Sequence, residues 1–487
     1  MLLRRTADEL GINHLRNATS PRDVALLLAS RFVRMLGFGA IAPILVLYFE
    51  LLRFSARKIG LFLSLTLLGD VAVSLLVAWT ADRIGRRKML ALGSAAMAGS
   101  GLAFVLTENY AILLMSATLG VVSPSGNEVG PFSSLETAML GQLAPATDRV
   151  FVSFGARPRK ILSLRVVTYN QATQLLMYYQ LLGFIGLAVG SVSSGLLIGH
   201  LQNHTSTLLA YRAIFSAYAL IGLIKVSLSA CLTAATELEK PALRAATLSA
   251  SEADSMNERQ PLLPTRPALH SAHASPHVKS PVSPFDQTFP ELPRPPPPPL
   301  PLCRLALVVA LFAVDAFASS LTPASYVALY LQRLHHASIE TITTVLAGAA
   351  LSAVVFSLGT GALSKRVGLV LAMVTTHIPA QLITCGLAFA RTSATAISLY
   401  IARTSLSSMD SSIRGALLSA MVRPEARTRL LGIVNVSRTL VATPGPFVTG
   451  RLVEIGALKW TFMISGGIKI LCDIGLLLGF RSAKLEH

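Results

Sequence analysis

The chain has 487 residues, 52% of them hydrophobic and only 14% charged, and carries a formal net charge of +18. A soluble domain carries about 25% charged residues, so this composition excludes an ordinary soluble enzyme or binding domain. The basic excess shows no interleaved aromatic stripe; it points away from nucleic acid and toward basic loops on the cytoplasmic face of a membrane.

Residues 1–22 are polar and basic (Arg4, Arg5, Arg16, Arg22), lack the apolar core of a signal peptide and are expected to be a cytoplasmic segment. Twelve apolar runs then predict spanning helices at 24–49, 59–80, 89–106, 110–130, 178–200, 210–232, 304–331, 339–363, 369–389, 394–421, 429–453 and 459–480. Most reach the roughly 17–25 residues that cross a bilayer core. An even number puts both termini on one side. Arg83, Arg86, Arg87, Lys88, Arg149, Arg157, Arg159, Lys160, Lys365, Arg366, Arg423, Arg427 and Arg429 make that side cytoplasmic, with Arg53, Arg57 and Lys58 as the exception. The six and six helices form bundles over 23–236 and 303–481, followed by a cytoplasmic tail at 482–487.

Between the bundles, residues 237–302 are rich in Pro, Ser and Ala and end in a proline run, which predicts a disordered cytoplasmic linker. Within it Glu258-Arg259-Gln260-Pro261-Leu262-Leu263 has the form of an acidic dileucine sorting signal, with Glu258, Leu262 and Leu263 as its readable residues. Asn203-His204-Thr205 is a glycosylation sequon in a loop this topology places outside or in a lumen, whereas Asn17-Ala18-Thr19 is cytosolic. The four cysteines lie in or beside apolar runs without metal-site spacing and read as small buried hydrophobes.

The tight turn Asp82-Arg83-Ile84-Gly85-Arg86-Arg87-Lys88 joins the second and third runs, and Lys365-Arg366-Val367-Gly368 recurs after the eighth. Likewise 143–149 parallels 422–427. Such a repeat places a transport site between two halves. The halves differ in one stretch: Pro145 to Gly195 spans 50 residues, but Pro424 to Gly450 spans 26. The extra residues fall within 152–177 and are either a longer cytoplasmic loop or an intron retained in the reading frame.

Ionisable groups inside apolar helices cost about 2.5–3.5 kcal/mol or more and turn toward protein or a wet cavity. Here they are Arg31 and Arg34, Asp70, Glu128, Asp315, the stripe Arg403, Asp410 and Arg414, Asn435 with Arg438, and the i,i+4 pair Lys469 and Asp473. Each is either a site residue or a neutralising pair that fixes helix packing.

The turn at Asp82, Arg83, Gly85, Arg86 and Arg87 resembles the signature loop of the major facilitator superfamily, with Ala78 where that family has a Gly. The runs 123–131, 409–414 and 424–427 resemble a poorly characterised microbial and fungal branch of it. The resemblance implies an all-α membrane protein of twelve transmembrane helices in two pseudo-symmetric bundles, whose first, fourth, seventh and tenth helices line a cavity. It thereby implies Arg31, Arg34, Glu128, Asp315, Asp410 and Arg414 as substrate or proton residues, the three carboxylates being the proton carriers. In related transporters the acid of the signature loop holds the fourth and eleventh helices together in the outward-facing state. Asp82, Arg83, Gly85, Arg86 and Arg87 are thus expected to form a conformational gate.

The expected protein is a secondary transporter of a small solute, proton-coupled and anion-selecting. The competing expectation is a non-transporting membrane sensor that signals through the linker. No Gly-rich phosphate loop with Lys, metal cluster or nucleophile triad is present in the sequence, so no enzyme, cofactor or resident metal is expected. Expected partners are a small-molecule substrate, H+ and surrounding lipid, with no nucleic acid, around a monomer. The expected location is the plasma membrane or a vacuolar or lysosomal membrane.

Overall fold

A computed structural model describes residues 20–120, 122, 131–143, 171–237, 302–367, 369–420 and 424–480. The chain runs through α1 (Pro21–Ile41), α2 (Leu45–Leu51), α3 (Ala56–Ile84), α4 (Arg86–Leu106), α5 (Tyr110–Leu119), α6 (Pro131–Leu143), α7 (Gln171–Gln202) and α8 (Thr207–Ala230). After a 3₁₀ turn at Ala234–Thr236 come α9 (Leu302–Ser320), α10 (Ala324–His335), α11 (Ile339–Val367), α12 (Leu369–Leu387), α13 (Ser393–Ala420), α14 (Pro424–Ala442), α15 (Gly445–Glu454) and α16 (Trp460–Phe480). Each predicted span overlaps a described helix, the fourth over 110–119. Among the described residues eight helical stretches are long and apolar enough to cross a membrane.

These helices are apolar nearly all round, so burial and lipid share their surface. Leu75, Leu76, Leu92, Leu102 and Leu196 point outward, which is stable only in hydrocarbon. Tyr48, Phe49, Phe62, Phe104 and Phe215 fill the core of the first half, and the Tyr48 hydroxyl donates to the Phe104 carbonyl at 2.7 Å. Helix starts are capped by side chains: Ser55 accepts from Lys58 N, Ser206 from Leu209 N, and Asn109 from Ala111 N. The breaks α1/α2 and α9/α10 come at Pro43 and Pro323, the same depth in the first helix of each half. A third break, α14/α15, lies at Pro444.

Beyond the predicted end of the fourth span a further helix, α6, runs from Pro131 to Leu143. Proline is tolerated at the first turn of a helix, so Pro131 starts this segment instead of stopping it. Its Glu136 is fully buried and partnered. Residues 171–177, within the extra stretch of the first half, are helical in α7. The rest of that stretch between 152 and 170 lies outside the described residues, as do 1–19 and the linker from 238 to 301.

Small residues bring the helices together. A Cβ on Gly190 would stand 2.0 Å from the Leu36 carbonyl oxygen and one on Gly39 2.2 Å from that of Leu187, so α1 and α7 touch backbone to backbone. The halves meet through α3 with α15 and through α7 with α11. Gly60 packs on Gly450, Gly195 on Thr343 and Gly199 on Glu340, while Phe447 N donates to Ser64 Oγ at 3.0 Å. Glu50 of α2 and Arg333 of α10 form an ion pair across the halves. These contacts cluster toward the end opposite the Gly85 turn, which is therefore closed.

Candidate functional site

Two buried charge clusters lie inside the halves. In the first, α1 supplies Ser30, Arg31 and Arg34, α6 supplies Glu136, α7 supplies Tyr179 and Gln180, and α8 supplies Lys225. Glu136 is fully buried and accepts from Ser30 Oγ at 3.0 Å, Arg34 Nη2 at 3.0 Å, Lys225 Nζ at 3.3 Å and the Tyr179 hydroxyl. Arg34 Nη2 also donates to the Tyr179 oxygen at 2.9 Å. Arg31 lies 4.6 Å above the Tyr179 ring centroid and donates to Gln180 at 3.1 Å. Its guanidinium fits because position 183 is glycine: a Cβ there would stand 2.7 Å from Arg31 Nε. Within this cluster three cations thus surround one carboxylate in a low-dielectric interior, an arrangement able to hold an anion.

The second cluster is built from α9, α12, α13 and α16. Arg414 Nη1 donates to Asp315 Oδ2 at 2.8 Å, its Nη2 pairs with Asp410, and its Cζ lies 4.9 Å from the Phe312 ring. The second oxygen of Asp315 faces His377 Nε2 at 3.9 Å. On its other side His377 Nδ1 lies 2.8 Å from Asp473 Oδ2. Lys469 adds positive charge near Asp315. Three carboxylates thus meet arginine, lysine and an imidazole here, a set of groups able to hold and pass a proton.

The sequence-predicted residues divide accordingly. Arg31 and Arg34 come together in the first half, and Asp315, Asp410 and Arg414 in the second. Arg403, a pair of turns earlier on the same helix, stacks on Tyr400 at 5.5 Å. Asp473 pairs with His377, not with Lys469 as their i,i+4 spacing suggested. Glu128 lies outside the described residues. Glu136, Tyr179, Lys225 and His377 escaped the sequence reading. Lys225 and His377 did leave a signal there, each being a lone polar residue inside an apolar helix. Among the described residues no group of three or more His, Cys, Asp or Glu could hold a metal ion.

The predicted gate has its own architecture. Gly85 takes φ +106°, a backbone conformation open to glycine, and sets α4 directly after α3. The two N–H groups that follow, of Arg86 and Arg87, donate to the Glu237 carboxylate at 2.8 and 3.1 Å. Gln142 at the end of α6 bridges them, donating to the Glu237 carbonyl at 2.6 Å and accepting from Arg86 Nη1 at 3.2 Å. Arg83 lies 5.5 Å from the exposed Trp79 ring. Asp82 occupies the last turn of α3, and its side chain lies outside the described ones. Asn203 is exposed in the turn between α7 and α8, where the sequon requires it. Glu258, Leu262 and Leu263 lie outside the described residues.

The sequence model of the Major Facilitator Superfamily matches residues 27–153 and 305–486. An uncharacterized membrane protein of Saccharomyces cerevisiae is 29% identical over 464 residues, 93% of each chain. The solved D-xylose-proton symporter superposes with a TM-score of 0.63 at 13% identity, covering 93% of this chain and 96% of its own. The nucleoside transporter NupG gives 0.61 at 12% identity over 94% and 99%. At such identities these structures speak for the fold.

Proposed function

This chain belongs to the Major Facilitator Superfamily, and on that premise we propose that it moves a small anionic solute across a membrane by alternating access, coupled to protons. The observation that carries the reading is the unequal charge of the two buried clusters. Arg31, Arg34 and Lys225 outnumber Glu136 in one half, while in the other Asp315 and Asp410 pair with Arg414 and Asp473 pairs with His377. An anionic solute bridging the halves would be held by Arg34 and Arg414, while the carboxylates of the second half take up H+. The closed end at Glu50 and Arg333 represents one of the two access states. The D-xylose-proton symporter supports coupling to protons by analogy of fold. The host membrane is the plasma membrane or a vacuolar or lysosomal one, and the working unit is a monomer.

The test uses the purified full chain in proteoliposomes, a panel of labelled small carboxylates and organic phosphates, and an imposed pH gradient. Uptake of at least one anion should rise with the gradient and fail in Arg34→Gln and Arg414→Gln. Uptake of a neutral solute regardless of pH, with no anion moved, refutes the reading.

One observation favours a second reading, a sensor signalling through the linker. Glu237, at the root of the linker, caps α4 and reaches α6 through Gln142. A state change in the first half would therefore be felt where the linker begins. A sensor would show no flux of any solute in the same vesicles, and its linker would bind a cytosolic partner.

A further inference from the structure

Arg403 is a cation in the middle of α13 that no described carboxylate answers. Its contact is the Tyr400 ring, 5.5 Å from Cζ, and its Nε is buried without an acceptor. Arg414 on the same helix is the opposite case, its guanidinium taken by Asp315 and Asp410. A guanidinium has five donors and cannot shed its charge, so a stacked ring leaves most of them unused. Lys469 of α16 adds positive charge that acts on Arg403 as well as on Asp315 and Asp410. Arg403 is nonetheless partly exposed. A charge at mid-helix does not face hydrocarbon, so this exposure is to a wet space inside the molecule.

Spacing fixes where that space lies. Arg403, Ser407, Asp410 and Arg414 follow one another at helical intervals and share one face of α13. Asp410 and Arg414 turn that face toward α9, where Arg414 bonds Asp315 at 2.8 Å. Arg34 and Asp315 hold matching places, each thirteen residues past the first of α1 and of α9. From this level Arg403 lies eleven residues back along α13, about 16 Å, toward the closed end. That direction is marked by Tyr330 of α10, whose hydroxyl donates to the Leu387 carbonyl just before α13 begins. Ser325 lies ten residues beyond Asp315, about 15 Å in the same direction. Its Oγ is 3% exposed, meets no hydrogen-bond partner among the described residues, and lines a small cavity with Phe38 and Ile41 of α1. Polar groups lacking partners thus recur at a second level, nearer the closed end than Arg34 and Arg414.

We propose that Arg403, with the Ser407 hydroxyl one turn away, anchors a second anionic group of the solute. The carried molecule is then a dianion with its charged heads apart: one head at Arg34 and Arg414, the other at Arg403. Each head is an oxyanion, a carboxylate or a phosphate, whose paired oxygens match the guanidinium fork. A single-headed anion leaves Arg403 unanswered and is selected against on that ground. The two-headed solute rests on the anion reading above, but the binding of an oxyanion at Arg403 does not.

Two measurements separate these claims. In the first, the full chain in nanodiscs is treated with phenylglyoxal, which modifies arginine, with inorganic phosphate or with chloride at matched ionic strength. Modification of Arg403 is read by peptide mass spectrometry. Phosphate should slow it several-fold, in Arg34→Gln as in the wild type. An Arg403 that reacts equally in both salts, or in neither, overturns the proposal.

In the second, binding to the full chain is titrated with monocarboxylates, with α,ω-dicarboxylates of matched and increasing length, and with phosphorylated monocarboxylates. At least one dianion should bind about tenfold tighter than its single-headed counterpart. Arg403→Gln should remove that preference and leave the monocarboxylate within about twofold of wild type, which also shows the variant to be folded. Arg403→Lys should retain part of the preference. Equal weakening of both classes in Arg403→Gln marks a merely structural arginine and overturns the proposal, as does a wild type that binds both classes alike. If phosphate shields Arg403 but no carboxylate binds, the anion-transport reading falls and the oxyanion site at Arg403 stands.

Discussion

Glu136→Gln is the most demanding test of the first-half cluster. The substitution keeps the size and shape of the side chain and removes one charge. Glu136 receives Arg34 at 3.0 Å, Lys225 at 3.3 Å and Ser30 at 3.0 Å, with the Tyr179 hydroxyl as a further donor. Glu136 and Lys225 are fully buried. Removing one member of a buried ion pair costs about 3–5 kcal/mol, because the partner charge stays behind in low dielectric. Lys225→Met removes the other side of the pair, but Glu136 keeps Arg34, Ser30 and Tyr179, so its cost should be nearer 1–2 kcal/mol. Combined, the two changes should cost less than their sum by about 1–3 kcal/mol, since the methionine relieves the lysine stranded by glutamine. Unfolding of the full chain in mixed micelles with rising detergent denaturant reads all three values. The reasoning is refuted if Glu136→Gln costs no more than Lys225→Met, or if the two costs simply add.

The gate predicts a different phenotype. Asp82→Asn should slow turnover about tenfold, the effect of some 1.4 kcal/mol on one access state, while solute binding to the purified chain stays near wild type. Weakened binding with normal exchange between access states would contradict a gating role. Asn203 is exposed between α7 and α8, so a glycosidase should shift the wild type in a eukaryotic host and leave Asn203→Gln unshifted. Modification at Asn17 instead would invert the membrane topology.

The helical layout was legible in the sequence because hydrocarbon imposes a length and an apolarity that few other environments demand. The segment that failed, α6, failed for the same reason: Glu136, Gln142 and three Ser/Thr residues dilute its apolarity, and the partners of Glu136 belong to other helices. Arg31, Arg34, Asp315, Asp410 and Arg414 stood out because charge in a spanning helix is conspicuous. Which charge meets which could not be read. The Arg414 contact to Asp410 is a single helical turn, but Arg34 reaches Glu136 across 102 residues and His377 reaches Asp473 across 96. Helical spacing suggested Lys469 for Asp473, yet neighbouring α12 offers an imidazole at hydrogen-bond distance. The glycines of α7 allow close packing, with Gly186 and Gly190 against α1.

The closed end also sets how readily the molecule changes state. Its polar fastening consists of the partly exposed Glu50–Arg333 pair and the hydrogen bond from Phe447 N to Ser64. An exposed ion pair contributes about 0.2–1 kcal/mol and an ordinary hydrogen bond about 0.5–1.5 kcal/mol. Around them, Gly60 against Gly450 and Gly195 against Thr343 make smooth surfaces that slide apart without side chains having to disengage. The polar part of this closure is thus of the same order as the binding energy of one small solute.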